Sequence, residues 1–302
     1  MHPESLLNIT PRITIGMPVY NGAATIEESV ASLLAQTFGD FELIVSDNAS
    51  TDATGAVVQA LAARDPRIRY VRQATNIGAN GNYSFVAREA RGKYLKWASA
   101  SDWCAPTFLE RCQSALEQSP DAVIAAPRTR LFEGDMCHAQ DYVHDVEILD
   151  ETPAARLRHL DRDMRLNNAF NGVIRLSALR RTRLIEPYQG ADMVLMGHLA
   201  LLGKYLLVGE PLFYRRMEPA TSTALQDAEA VRRHHYPVAS AHALLQAWKR
   251  NAGWLRVALT ASLSLRERLN ILEFVARRIY WERRALASDI RGVLEYAIQR
   301  PG

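Results

Sequence analysis

Residues 13–54 read ITIGMPVYNGAATIEESVASLLAQTFGDFELIVSDNASTDAT, and this stretch decides the fold. Ile13 to Val19 is a short apolar run closed by Tyr20-Asn21-Gly22, the signature of a buried strand ending in a turn. Ala23 to Gln36 then changes period: Ile26, Val30, Leu33 and Leu34 fall on one face of a helix. Phe41 to Val45 returns to strand character, and Thr51 to Arg64 to helix character, with Ser50 or Thr51 as its expected N-cap. The alternation continues with a strand at Arg67–Val71, a helix at Ala79–Ala90 stopped by Gly92, a strand at Lys93–Trp97, a helix at Pro106–Gln118 and a strand at Ala122–Ala126. Such repetition predicts an α/β fold, a mostly parallel sheet flanked by helices. Ligands of such sheets bind beyond the carboxyl ends of the strands.

Beyond Pro127 the pattern weakens. Residues 127–150 read as a long loop or hairpin, and Asn168–Leu176 as a strand. Asp192–Leu202 is a helix ended by Gly203, and Tyr205–Val208 and Leu212–Arg215 are two strands around Pro211. From about Ala224 onward the chain reads as helical, rich in Arg and Leu. The expected organisation is a first half at 1–126, a second half of the same domain at 127–223 and a helical region at 224–302.

Composition bounds the function. The chain has 302 residues, 48% of them hydrophobic, enough for a core without covalent staples. A net charge of +3, with no zinc-finger, helix-turn-helix or RRM spacing, argues against nucleic acid. Cys104, Cys112 and Cys137 are an odd, sparse set that fits a reducing, cytoplasmic setting. The start MHPESLLNITPR lacks the pattern of a secretory signal, and the apolar-leaning stretch Trp254–Leu263 contains Arg256 and is too short to span a bilayer.

Four polar clusters sit where strands end. They are Pro18-Val19-Tyr20-Asn21, Ser46 to Asp52, Asn76 to Asn82, and Ser99-Ala100-Ser101-Asp102-Trp103. Any one is compatible with turns and helix caps. Four on successive β-α units imply a polar ligand, and a helix N-terminus beside them favours an anion. Asp102 supplies the hard oxygen that Mg²⁺ or Mn²⁺ prefers. The absence of G-x-G-x-x-G after the first strand and of G-x-x-x-x-G-K-[ST] argues against dinucleotide and P-loop sites.

In order, these clusters resemble the family 2 glycosyltransferases of GT-A fold. The resemblance covers about residues 11–223: residues 13–54, then NIGANGNYSFVAREARGKYLKW (76–97) with Asp102 and Pro106, then GADMVLMGHLALLGKYLLVGEPLFYRR (190–216). It implies inverting transfer from a nucleoside-diphosphate sugar, a UDP- or dTDP-sugar, to a glycan or lipid-linked acceptor. It gives Pro18 and Tyr20 the base and ribose, and Asn48 the base contact in place of the usual Asp. Asp47 and Asp52 support that loop; Asn76, Asn82 and Ser101 complete the donor surface. Asp102 matches the metal ligand and Asp192 the general base, although Asp192 also reads as the N-cap of its helix. Arg215 and Arg216 are phosphate contacts or exposed strand residues. Glu218 stands where the family often has a His ligand, so it reads as a second metal ligand or as a solvated residue. Ser99 and Ser101 replace acidic residues, which leaves the need for a divalent cation open.

A sugar nucleotidyltransferase would want a Gly- and Arg-rich loop with a Lys after the first strand, which Gly16 to Asn21 does not supply. A nucleotide-sugar-binding protein without turnover is the third reading. In the tail, Arg232, Arg233, Arg250, Arg256, Arg277, Arg278, Arg283 and Arg284 lie among apolar residues. That pattern fits packing on the main domain or a homodimer contact, or a peripheral contact at the inner face of the membrane. The adjacent His234-His235 diverge on a helix and do not read as a metal site.

Overall fold

In the computed structural model, residues 10–218 and 244–298 are described. The α/β reading holds. Strands β1 (Ile13–Val19), β2 (Phe41–Asp47), β3 (Ile68–Arg72) and β4 (Tyr94–Trp97) alternate with helices α1 (Ile26–Leu34), α2 (Thr54–Ala62) and α3 (Gly78–Glu89). β5 (Trp103–Cys104), α4 (Phe108–Gln118), β6 (Ala122–Phe132), β7 (Gln140–Asp141) and α5 (Pro153–Asp163) follow. Then come β8 (Val173–Arg175), α6 (Leu176–Leu179), α7 (Ala191–Leu202) and β9 (Lys204–Arg216). The described tail forms α8 (Gln246–Thr260), α9 (Leu265–Trp281) and α10 (Arg283–Ile298).

One sheet runs in the order β3-β2-β1-β4-β8-β6-β9-β5, with β7 paired to β6. The β1–β4 strands are mutually parallel, as are β6 and β9, whereas β8 runs antiparallel between β4 and β6. β1 and β2 are buried along nearly their whole length, which is why they read as continuous apolar runs. Two apolar clusters fill the two faces. Ile13, Ile15, Leu43, Phe108 and Phe213 anchor one, and Trp97, Phe170, Leu157, Met196 and Trp254 the other.

Several local expectations are corrected. Neither Ser50 nor Thr51 caps the second helix, which starts at Thr54 behind Ala53. Their hydroxyl oxygens accept instead from Asn21, Ser50 from its N–H at 2.9 Å and Thr51 from its amide at 3.3 Å. Asn168–Asn171 is a 3₁₀ turn, and strand pairing begins only at Val173. The two strands expected around Pro211 are one, β9. Its register against β6 slips on either side of Arg128, the residue opposite Pro211, which has no N–H to give the ladder. The hairpin option for 127–150 is partly met, since β6 extends to Phe132 and pairs antiparallel with β7.

The tail helices pack on the main domain. Trp254 of α8 lies over Gly197 of α7, and a Cβ added at Gly197 would sit 2.2 Å from the indole. The Glu267 carboxylate at the start of α9 accepts the Ala154 N–H at the start of α5. Gly197→Ala is therefore expected to cost about 1–3 kcal/mol through overpacking, visible as a lowered midpoint in thermal unfolding. An unchanged midpoint would show that this seam is loose. The expected boundary at 223–224 and His234-His235, Arg232 and Arg233 lie outside the described residues.

Candidate functional site

A cavity of about 320 Å³ opens beyond the carboxyl ends of β1, β2 and β4, where a sheet of this topology places its ligand. Pro18, Tyr20, Asn48, Asn82 and Ser101 all line it, as do Asn21, Thr25, Tyr83, Ser99, Arg216 and Glu218. The Tyr20 ring is half exposed at 50% and offers a face to a planar ligand. The remaining expected donor residues, Asp47, Asp52, Asn76 and Arg215, do not line the cavity.

Their work is internal. Asp47 is fully buried, and its carboxylate accepts from the Ser50 N–H, the Tyr70 hydroxyl and Arg72. Burial alone would raise its carboxyl; these bonds and the Arg72 charge outweigh burial and hold it below the usual range. Asp52 accepts the Thr54 N–H and, across to the first loop, the Ala23 N–H at 3.1 Å. Asn76 Oδ1 accepts from Asn48 Nδ2 at 2.8 Å and from the Gly78 N–H. The dense polar run 46–52 thus binds mainly the neighbouring loops, and of its residues Asn48 alone reaches the cavity. The Asn48 oxygen already accepts the Ile77 N–H at 2.8 Å, so one lone pair is left for a ligand. Asn21 and Ala49 hold φ of +51° and +60°, the left-handed region; Asn tolerates it, while at Ala49 it stores strain in the wall of the site.

β9 brings the cationic wall. Because Trp103 pairs with Tyr214, Asp102 falls beside the end of β9, and its carboxylate accepts the Arg216 N–H at 3.0 Å. The buried Arg216 guanidinium stacks over Phe132 and pairs with Glu28 and Glu218, each at 2.9 Å. Its Nε also donates to the Ser101 carbonyl. Successive residues of a strand point to opposite sides, so Arg215 turns away and donates to Asn168 Oδ1 at 2.6 Å. Of the two arginines, Arg216 is the one at the cavity.

Burial raises the Asp102 carboxyl above its ordinary range, opposed by the Arg216 N–H and by the charges of Arg215, Lys96 and Arg216. Among the described residues, no hydrogen bond is made to its second oxygen. One carboxylate, with phosphate oxygens from a ligand, suits a Mg²⁺ or Mn²⁺ ion that is held mainly by substrate. Glu218 is already engaged by Arg216 and by the Gly134 N–H, which holds its carboxyl below the usual range. Among the described residues the one compact group of three His, Cys, Asp or Glu ligands is the exposed Asp135-Cys137-His138, none of which lines this cavity.

Asp192 is not the N-cap of its helix. Gly190, with φ +79°, occupies that position, and Asp192 sits in the first turn of α7. Its carboxylate accepts from Asn167 Nδ2 at 3.0 Å. Tyr83 lines the cavity wall, and its phenol is pushed up to about 12 by burial together with the charges of Asp102 and Asp192, against Arg215. The consecutive Asn167 and Asn168 tether Asp192 and Arg215, a pairing that the expected strand from Asn168 onward did not suggest. Tyr83, Glu28 and Asn167 also escaped the sequence reading; only a helical projection of 78–89 could have flagged Tyr83, which shares a face with Ala79.

The comparisons agree with this geometry. The glycosyl transferase family 2 model matches residues 14–183. The "Uncharacterized glycosyltransferase EpsJ" of Bacillus subtilis (strain 168) is 33% identical over 109 residues, 36% of this chain and 31% of that protein. A Campylobacter jejuni protein, "GalNAc(5)-diNAcBac-PP-undecaprenol beta-1,3-glucosyltransferase", is 34% identical over 93 residues, 30% of each chain. The matched stretch thus spans about a third of these curated relatives. Among solved structures, S. aureus TarS 1-349 in complex with UDP superposes with a TM-score of 0.63 at 14% identity, over 89% of this chain and 72% of that one. Mannosyltransferase PcManGT of Pyrobaculum calidifontis, in complex with GDP-Man and Mn²⁺, gives 0.53 at 18% identity, over 94% and 85%. With the mostly parallel sheet, the cavity at its carboxyl edge and a family match over more than half of its length, the chain belongs to glycosyl transferase family 2.

Proposed function

We propose that the protein is an inverting glycosyltransferase that moves a sugar from a UDP- or dTDP-sugar to a hydroxyl of a glycan or lipid-linked acceptor, in the synthesis of a cell-surface polysaccharide or glycoconjugate. The observation that carries this reading is the single cavity wall that joins Tyr20, Asn48 and Asn82 to Arg216 beside Asp102. S. aureus TarS, a solved structure of similar fold at 14–15% identity, is described in complex with UDP and with UDP-GlcNAc, which supports the choice of donor class.

In this reading Tyr20 and Pro18 hold the base, Asn48 accepts an N–H of uracil or thymine, and Ser101 and Asn82 line the path toward the diphosphate. The acceptor oxygen attacks the anomeric carbon as the bond to the diphosphate breaks. Asp192 takes the hydroxyl proton; a carboxylate in the first turn of a helix is favoured by the amide dipoles there. Charge builds on the leaving diphosphate, and in this reading the Arg216 guanidinium stabilises it. A divalent cation held by Asp102, with Glu218 as the further candidate, would supply additional charge neutralisation when bound.

Calorimetric titration of the full chain with UDP, dTDP, GDP and CDP, with Mn²⁺ and with EDTA, tests the donor reading. UDP or dTDP is expected to bind in preference, with Asp102→Ala abolishing most of any Mn²⁺ enhancement. If no nucleotide binds under either condition, the donor assignment fails.

A further inference from the structure

Among the described residues, ten of the fourteen large hydrophobic side chains left exposed lie in one part of the chain, from Leu245 to Ile290. They are not scattered. On α8, Trp248, Leu255 and Leu259 recur at helical spacing along one outer side, while Trp254, Val257 and Ala258 of the same helix are buried against the main domain. On α9, Leu265, Leu269 and Ile279 do the same, with Tyr280 and Trp281 at its end, opposite the buried Ile271, Phe274 and Val275. Leu265 and Trp281 are 74% and 64% exposed. Arg268 donates to the carbonyls of Ala258 and Ala261, so the start of α9 lies by the end of α8 and the two stripes adjoin. A helix apolar on two sides has two apolar surroundings; the protein core supplies only one of them.

Charge identifies the other. Residues 244–298 carry ten Lys or Arg against five Asp or Glu, a net of +5, so the rest of the chain carries −2 of the whole chain's +3. Arg283 stands over the Tyr280 ring at 4.4 Å, and Arg266, Arg284 and Arg291 are exposed. A second copy docked on this face by a two-fold axis would bring the arginines of both copies together. An anionic bilayer meets both features: leucines enter the acyl boundary, Tyr and Trp sit at the headgroup level, and arginines reach the phosphates. No described helix is long and apolar enough to cross a membrane, so the contact is with the surface. We propose that the outer face of α8 and α9 is a docking surface for an anionic lipid bilayer. The proposal does not depend on the identity of the donor.

The test is flotation of the full chain with vesicles of phosphatidylcholine alone and with about 30% phosphatidylglycerol added. The wild type is expected to float with the anionic vesicles and to stay at the bottom with the neutral ones. Leu255→Ser, Leu259→Ser, Leu265→Ser and Leu269→Ser together should lower partitioning roughly tenfold or more. Arg283→Gln with Arg284→Gln should lower it about fivefold or more, as should raised salt. Retained UDP affinity or an unchanged thermal midpoint shows that each variant is folded. A second reading comes from brominated lipid, which should quench Trp248 and Trp281, with Trp248→Phe and Trp281→Phe removing the effect. Wild type that stays at the bottom with anionic vesicles overturns the proposal. So does a dimer in sedimentation that the four Leu→Ser changes convert to monomer without altering flotation.

Discussion

Asp192→Asn is expected to lower kcat by about 10²–10⁴-fold while leaving the UDP dissociation constant unchanged. The two halves of this expectation come from different observations. Asp192 lies outside the cavity wall, so nucleotide binding does not need it. Among the described residues its oxygen takes one hydrogen bond, from Asn167, and an amide oxygen at the same place would still take it. The substitution therefore keeps the structure and removes only the capacity to accept a proton. Measured side by side, kcat in a sugar-transfer assay and UDP affinity by calorimetry separate the roles. A variant that keeps more than about a tenth of kcat would reduce Asp192 to an ordinary first-turn acid. Asn167→Ala frees the carboxylate to rotate, so a smaller loss in kcat, again without loss of UDP affinity, is expected.

Arg216→Gln is expected to weaken UDP binding about 10- to 100-fold, the range for a lost charge-assisted hydrogen bond at a partly dry site. Arg216 is buried at the cavity, its guanidinium held over Phe132 between Glu28 and Glu218. A Lys lacks the planar fork that this geometry uses, so Arg216→Lys should recover only part of the loss. Glu218 provides the opposing control. If its carboxylate is chiefly the partner of Arg216, Glu218→Gln releases the guanidinium toward the diphosphate, and UDP binding stays level or tightens a few-fold. If Glu218 is chiefly a metal ligand, the same change weakens Mn²⁺-supported binding. The contact at 2.9 Å and the second bond from Gly134 favour the first outcome.

The first half of the chain was legible because its signals are local. A buried parallel strand must be apolar throughout, its helix must be apolar on one side, and the turns between must be polar; Ile13–Val19, Ile26–Leu34 and Phe41–Asp47 obey all three. That pattern gave the α/β class, the position of the cavity and the residues Pro18, Tyr20, Asn48, Asn82 and Ser101 on its wall. Polarity alone did not say which polar residues face a ligand. Asp47, Asp52 and Asn76 share the composition of a binding loop, yet their hydrogen bonds go to Ser50, Ala23 and Asn48. That sorting depends on which loop lies against which, and a sequence carries no distance between residues thirty positions apart.

The later half was less legible for the same reason. Arg215 and Arg216 are adjacent and chemically identical, and only the pleat of β9 and its pairing with β5 send Arg216 to the cavity and Arg215 to Asn168. Likewise the Arg- and Leu-rich tail announced amphipathic helices, but not that α8 would spend Trp254 on Gly197 and leave Trp248 and Leu255 outside. By itself, then, the sequence determined the periods, the fold class and the family, since each rests on neighbours in the chain. The tertiary structure decided which carboxylates brace loops, which arginine lines the cavity and which apolar face is exposed among the described residues, because burial and pairing are set by residues distant in sequence.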